Sequence, residues 1–464
     1  MKNKIIIALV AVILILVIAL SLTIGIIGTY RSSGVYPTLP STNQNDPAQK
    51  EQIDYNDTFG LVHALFNNFS IFEINYENAM LSAIRAYVEA TGDKYAMYYT
   101  QEELEEMMSE NNGDLYGIGV QVIFDYKEYF IEVVLIMPDS PAELHLQLGD
   151  KLTHIFIDDK KISLVDLVEE NKIKAREIYP SYTENEINNV ACYETFQYTI
   201  SKLKGPEGTW AHFCINRNNE ELEMNVQRAK VKTLSVTAKK SIRDNTVGIV
   251  SISQFDLTTP IQFKECMDKL IAEGCNKFVF DVRNNPGGDL ASLVAVASTF
   301  LNEGDTILST KDANGITDIT KVKEVQYSSS SGYSTCNVTK SDIGKYKDYE
   351  FVVLANENSA SAAELFTAVL RDHQLAQIVG TKTYGKGSVQ SIVTLQYYGK
   401  QYHGALKLTT KLYFPPCGEG YDGGIGITPN YAVDLEGIAA ETHFYKLTED
   451  IDNQLQKAVS ILID

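Results

Sequence analysis

The chain has 464 residues, more than one ordinary domain holds, and its 44% hydrophobic and 22% charged residues are the balance of globular protein. Asp and Glu outnumber Lys and Arg by 60 to 40, a net charge of −20, and no basic run is present to follow a phosphate backbone, which argues against nucleic acid as a partner. Six cysteines, at 192, 214, 266, 275, 336 and 417, form no Cys-x-x-Cys pair, which argues against zinc and redox motifs and for buried free thiols such as Cys214 in "AHFCIN".

Ile5 to Gly28 is a run of 24 residues without a charge, enough for a helix across about 30 Å of hydrocarbon. A cleaved secretory signal is the competing reading. Its apolar core would be shorter, roughly 7–15 residues, and would end in a small-x-small site that "IIGTYRSSG" matches poorly. Lys2 and Lys4 before the span favour a cytoplasmic amino terminus, with Arg31 weakening the bias. Residues 1–30 therefore read as a single transmembrane signal anchor, with the bulk of the protein extracytoplasmic. Residues 31–52, with few apolar side chains and three prolines, read as a flexible linker.

Periodic apolar residues then return. "LVHALFNNF", "YENAMLSAIRAYVEAT" and "TQEELEEMMSEN" read as helices of an N-terminal helical region, 53–111, the last opened by a Thr100-x-x-Glu103 capping signature. From Gly113 the period falls to two. "YGIGVQVIF", "EYFIEVVLIMP" and "KLTHIFID" predict strands, and "DSPAELHLQLGD" between the last two predicts a short helix with Ser140 as N-cap and Pro141 in its first turn. A polar helical insert near 163–198 interrupts this mainly-β unit, which ends near 232. From 233 to 464 apolar strands ("NTVGIVSISQF", "KFVFDV", "YEFVVLAN", "AQIVGTKT") alternate with helices, which predicts an α/β core with a largely buried sheet.

Chemistry in such cores gathers where strands hand over to helices. Three stretches qualify. "NSASAAE" sets Ser359 and Ser361 against a helix amino terminus, suited to a nucleophile whose attack creates an oxyanion, and equally suited to plain N-capping. "TYGKGSVQ" holds Lys386 between glycines beside apolar sequence, where burial can give a neutral lysine able to act as a base, with Gln390 four residues on to orient it; an exposed lysine in a glycine turn is the bland alternative. "DVRNNPGG" ends another strand with Gly287 and Gly288, whose N–H groups a ligand can approach, or is an ordinary turn. His373, twelve residues past Ser361, lies about 18 Å along the same predicted helix and cannot reach the hydroxyl.

In order and approximate spacing, "DVRNNPGG", "NENSASAAE", "RDHQLAQIVGTKTYGKGSVQ" and "LKLTTKLYFPPCGEGYDGGIGITPN" resemble the carboxyl-terminal processing peptidases, family S41, which carry a serine–lysine pair and a PDZ domain. The resemblance covers about residues 55–435. The interval 386 − 361 = 25 matches the family's nucleophile-to-base spacing and selects Ser361 over Ser359. It implies Ser361 as nucleophile, Lys386 as general base, Gln390 as its orienting partner, and Ala362 with Gly287 or Gly288 as oxyanion-hole donors. It implies a crotonase- and Clp-like α/β core, preceded by a mainly-β PDZ domain at 112–232 whose Tyr116, Gly117, Ile118 and Gly119 hold a peptide carboxylate. No metal or cofactor is implied. The expected partners are protein or peptide substrates with free carboxyl termini and the membrane, with self-association through the early helices. "GITPN" and "PPCGEGYDGG" depart from the family's pattern, at edge loops and not within the catalytic set. The expected activity is that of a membrane-anchored serine endopeptidase working through an acyl-enzyme. Two rivals are a non-catalytic PDZ scaffold with a degenerate peptidase core and, less well matched, a lipid- or acyl-thioester-binding enzyme on the related crotonase scaffold.

Overall fold

A computed structural model describes residues 55–325, 336–400 and 402–463. The expected membrane span and linker lie outside the described residues; within them, no helix is long and apolar enough to cross a membrane. Two compact units divide the chain. One holds the described residues up to Leu104 together with Val389–Lys411, and the other holds Glu105–Ser388 with Leu412 onward.

The described residues open with α1 (Tyr55–Phe69), α2 (Tyr76–Ala90), β1 (Met97–Tyr99) and α3 (Gln101–Asn111). Asn75 caps α2 by accepting from the Asn78 N–H. The Thr100–Glu103 box forms as the sequence predicts, with the Thr100 N–H donating to Glu103 and the Glu103 N–H to the Thr100 hydroxyl. The apolar residues of α1 and its loop do not find a core: Leu61, Phe66, Phe69, Ile71 and Phe72 are exposed.

Next come β2 (Asp114–Gly117), β3 (Val120–Phe124), β4 (Ile131–Ile136), β5 (Lys151–Ile157), β6 (Lys160–Ser163), α4 (Leu164–Ile178), α5 (Glu184–Leu203), β7 (Trp210–Arg217), β8 (Glu220–Gln227) and β9 (Ala229–Lys232). Five of the strands form a sheet in the order β3-β4-β5-β7-β8, with β6 paired to β5 and a separate β2–β9 ladder. Alternation puts Ile131, Val133, Ile155, Phe213 and Ile215 on one face, and the helical insert covers that face with Leu164, Val168, Ala191 and Leu203. The insert is thus a hairpin of two helices that completes a core. Pro141–Leu144 forms a 3₁₀ turn with Ser140 at its N-cap and Pro141 in its first turn, as the sequence predicts, but the Ser140 hydroxyl donates to the Gly119 carbonyl and makes no capping bond.

The remaining elements are β10 (Val236–Lys240), β11 (Val247–Ile252), α6 (Thr259–Ala272), β12 (Lys277–Asp281), α7 (Leu290–Ser298), β13 (Thr306–Asp312), β14 (Thr317–Lys321), β15 (Glu350–Ala355), α8 (Ala362–Asp372), β16 (Ala376–Gly380), β17 (Ser388–Thr394), β18 (Ala405–Phe414), β19 (Tyr431–Ala432) and, after a single helical turn at Ile438–Glu441, α9 (Asn453–Ile463). β17 and part of β18 belong to the first unit, where β18 pairs with β1 and the Thr409 N–H and hydroxyl both donate to Asp93.

The second unit's main sheet has the order β10-β11-β12-β15-β16-β19, parallel from β11 onward. Its strands read as continuous apolar runs because both faces are covered. Val247, Val279, Val352, Leu354 and Val379 meet α9 through Leu455, Val459 and Leu462. On the opposite face Phe280 packs on Phe263, Phe300, Phe351 and Phe366, centroids 5.2–5.7 Å apart. The register Asp281↔Leu354 brings the carboxyl ends of β12 and β15 together, so the "DVRNNPGG" and "NSASAAE" turns leave the sheet side by side.

One buried charge network anchors that edge. The Arg283 guanidinium donates to both oxygens of Asp281 (2.9 and 2.7 Å), to both of Asp452 (3.1 and 2.7 Å) and to Gln454, and all four residues are at most 7% exposed. Removing the cation strands two buried carboxylates. Arg283→Met is expected to cost about 3–5 kcal/mol of stability, read as a lowered urea midpoint against the parent chain; an unchanged midpoint would refute the anchoring role.

Candidate active site

Ser361 sits between β15 and α8 with φ +54° and ψ −117°, a conformation that costs a non-glycine residue about 1–3 kcal/mol. Neighbouring bonds enforce it. The Ala360 N–H donates to the Asn285 carbonyl, the Leu365 N–H to the Ser361 carbonyl, and the Ser361 N–H to the Glu364 carboxylate at 2.9 Å.

Glu364 is fully buried and serves two segments at once. One of its oxygens accepts from the Ser361 N–H and the Lys386 N–H (2.8 Å), and the other from the Thr383 hydroxyl (2.6 Å) and the Gly385 N–H (2.7 Å). Burial pushes its carboxyl above the ordinary range while these four donors pull it back. Every partner donates, so the arrangement is built for the ionised form. The serine turn and the lysine loop are thereby tied to the same carboxylate. The Ser361-x-x-Glu364 spacing is a capping-box pattern in the sequence, and it was the available signal for this residue.

The two strand-end turns are also sewn together by amides. Asn356 and Asn358 each donate to the Asn284 side-chain oxygen (2.9 and 2.8 Å), and the Asn284 N–H donates to Asn356. Ser359 has a structural role, as a tie and not as a helix cap: its hydroxyl donates to the Val282 carbonyl and accepts from the Asn356 N–H.

Gly287 and Gly288 differ. Gly287 has φ +100°, and a Cβ there would lie 2.7 Å from Ser361 Cβ and 2.8 Å from the Ala362 nitrogen, so only glycine lets this loop touch the serine turn. Its N–H donates to the Asn285 side chain at 2.8 Å. Gly288, φ +136°, would drive a Cβ to 2.1 Å from the Phe255 carbonyl. Among the described residues the Gly288 and Ala362 N–H groups have no acceptor. Ala362 opens α8, where an unpaired N–H and the helix dipole favour negative charge.

Lys386 is half-buried in the 383–387 loop. Its N–H goes to Glu364 and its carbonyl accepts from the Tyr413 hydroxyl at 2.6 Å. The loop is clasped by the segment 421–427. The Gly424 N–H donates to the Gly385 carbonyl, the Gly387 N–H to Asp422, and Thr383 and Ile427 exchange bonds through backbone and hydroxyl. The expectation that "PPCGEGYDGG" touches only edge detail is therefore corrected: this departure forms a wall of the lysine loop. Gln390 lies on β17 in the other unit, where its amide donates to the Thr409 hydroxyl at 3.2 Å. His373 ends α8, with its ring Nε2 against the Thr306 carbonyl.

Tyr116, Gly117, Ile118 and Gly119 lead from β2 into β3, an outer strand of its sheet. The Gly119 and Ile118 carbonyls accept from Met137 and Ala142, while the Ile118 and Gly119 N–H groups have no acceptor among the described residues. A cleft of about 600 Å³ opens beside Tyr116, walled by residues of α3 and α5 including Glu106 and Ile200, and by Lys204 just past α5. No group of His, Cys, Asp and Glu fit to hold a metal occurs among the described residues. Of the six cysteines, Cys192, Cys214, Cys275 and Cys336 are buried, and Cys417 is exposed.

The chain is similar to known peptidases. The family model described as peptidase family S41 matches residues 246–433, the stretch that carries both strand-end turns and the lysine loop. A CtpA-like serine protease of Staphylococcus aureus (strain MRSA252) is 26% identical over 416 residues, covering 89% of this chain and 71% of that protein. A CtpA-like serine protease of Staphylococcus haemolyticus is 29% identical over 311 residues, 67% of this chain and 52% of that one. Among solved structures, an S41 protease from Bacteroides fragilis NCTC 9343 matches with a TM-score of 0.48 and 13% identity over 82% of this chain and 90% of its own. The photosystem II D1 C-terminal processing protease matches with a TM-score of 0.42 and 20% identity, over 81% and 86%. Residues 246–433 thus carry the match to peptidase family S41, and the chain is a serine peptidase, similar to the CtpA-like serine proteases.

Proposed function

We propose that the protein is a membrane-anchored serine–lysine endopeptidase that cleaves proteins presented by their carboxyl-terminal tails. The observation that carries the reading is the Glu364 carboxylate, which accepts at once from the Ser361 and Lys386 backbones. Ser361 attacks the peptide carbonyl and Lys386 accepts its proton. The Ala362 and Gly288 N–H groups, open to an acceptor, receive the oxyanion, while the Gly287 N–H is already engaged by Asn285. Lys386 then protonates the leaving amine, and water hydrolyses the acyl-enzyme. The acyl-thioester alternative has no use for a lysine held in this way.

Residues 112–232 act as a PDZ domain in this reading. The open N–H groups of Ile118 and Gly119 and the outer position of β3 support capture of a tail as an added strand. The uncharged stretch Ile5–Gly28 supports an anchor with the catalytic unit outside the cytoplasm. The exposed apolar side chains of α1 support self-association of the early helices.

The full-length chain is expected to cleave an unstructured protein with an apolar carboxyl terminus. Ser361→Ala should reduce cleavage to background and Lys386→Ala by roughly 10²–10⁴-fold. Amidating the substrate's carboxyl terminus should raise KM. Binding without cleavage by a folded parent chain would instead favour the scaffold reading.

Glu364→Gln keeps the shape, but its NH₂ must face donors in either orientation. It is expected to lose about 1–3 kcal/mol of stability and roughly tenfold or more in kcat. Parent-like kcat would remove Glu364 from the argument. Self-association predicts a sedimentation mass of at least two chains that falls to one when Phe66, Phe69 and Phe72 are changed to Ser; a monomeric parent would exclude it.

A further inference from the structure

The cations around the Tyr116–Gly119 loop are not alike. Lys204 pairs with Glu110 at 2.6 Å and Glu106 at 3.6 Å, and Lys230 and Lys232 both pair with Asp114. Arg228, half-buried just before β9, pairs with no carboxylate. Its Nε donates to the Leu203 carbonyl at 3.2 Å, one terminal nitrogen to the Thr209 hydroxyl at 3.0 Å and the Trp210 carbonyl, and the other to the Lys202 carbonyl. Among the described residues every acceptor of this guanidinium is therefore neutral. Burial pulls it below the ordinary arginine range and no neighbouring carboxylate raises it, yet a guanidinium stays charged.

Two connections set its place. β2 pairs with β9 as far as Gly117↔Ala229, so Arg228 is the next residue past that pair on one side, as Ile118 is on the other. The Gly205 N–H donates to the Tyr116 carbonyl at 3.2 Å, and a Cβ on Gly205 would lie 3.1 Å from Arg228 Cδ and Nε. Gly205 thus touches both the loop and the arginine stem. The Lys202 and Leu203 carbonyls end α5, where no intrahelical donor reaches them, and Arg228 satisfies both. Capping accounts for the hydrogen bonds. It does not account for a full charge held half out of water with no counter-charge, a costly arrangement that a neutral donor would avoid.

We propose that Arg228 is the specificity-determining counter-charge for the substrate's terminal carboxylate. A tail added beside β3 ends at the open Ile118 and Gly119 N–H groups, and those donors would serve a neutral chain end as well as a charged one. Arg228 supplies the difference. It need not touch the tail: its charge is one residue past the ladder pair that borders the loop, and partial burial keeps water from screening it fully. Lys204, Lys230 and Lys232 contribute little, because each is already offset by a carboxylate. The inference rests on the tail-capture reading of residues 112–232.

The test is fluorescence anisotropy of a labelled peptide with an apolar carboxyl terminus, and of the same peptide amidated there, titrated with the full-length chain carrying Ser361→Ala so that neither is cleaved. That chain should prefer the free carboxylate. Adding Arg228→Gln should raise the Kd of the carboxylate peptide roughly tenfold or more and leave that of the amide as it was, whereas a loosened α5 end would weaken both. Arg228→Lys, which keeps the charge, should keep the preference. Equal losses for the two peptides, an undiminished preference in Arg228→Gln, or its loss in Arg228→Lys overturns the inference alone. If Arg228→Gln fails to fold, Lys204→Gln and Lys230→Gln decide: both should keep the preference, and its loss in either overturns the assignment to Arg228. A starting chain that binds both peptides equally, or neither, overturns the tail-capture reading and this inference with it.

Discussion

The site depends on one buried carboxylate with four donors. Glu364 is taken wholly out of water, and a charge so placed survives only if its lone pairs are satisfied. The donors come from residues 361, 383, 385 and 386, so satisfying the charge fixes the serine turn and the lysine loop relative to each other. That is how a positive φ at Ser361 is sustained: relaxing it would withdraw a donor from a buried anion. Strain and buried charge hold each other in place.

Beneath this lies the parallel sheet. Register pairing of β12 with β15 delivers two turns to one edge, and Arg283, bonded to Asp281 and Asp452, ties that edge to the segment before α9. The asparagine ladder then closes the gap between the turns, leaving the Ala362 and Gly288 N–H groups open. Selectivity between the two glycines is a matter of one side chain. Asn285 occupies the Gly287 N–H and donates its own amide to the Ile252 carbonyl, which keeps it there.

The lysine loop is held differently. Apart from Glu364 and the Ser359 carbonyl, which accepts from the Tyr384 N–H, its support comes from β18 and the 421–427 segment, whose first residues lie in the stretch that departs from the resembled pattern. Variation there is not neutral packing at a rim, because Asp422, Gly424 and Tyr413 bond directly to residues 385–387. Such a wall can tune how firmly the proposed base is held while the sheet edge and its serine turn stay as they are.

Much of this was legible in the sequence. Apolar runs and glycine-rich turns located the strands, both strand-end turns and the lysine loop, because backbone propensity and burial on both faces act locally. The capping pair Thr100–Glu103 was legible as spacing, and it forms. The early helices were legible as helices, but not the exposure of their apolar side chains. Glu364 stood in the capping pattern, yet nothing in the sequence could say that its second oxygen serves residues 383 and 385. Only the tertiary structure decided that the Gly287 N–H is engaged and that of Gly288 open, that Ser140 bonds Gly119 in place of capping, and that Tyr413 grips Lys386. Those are bonds between residues 2 to 27 positions apart whose partners depend on where separate elements pack, and a one-dimensional pattern carries periodicity, not packing.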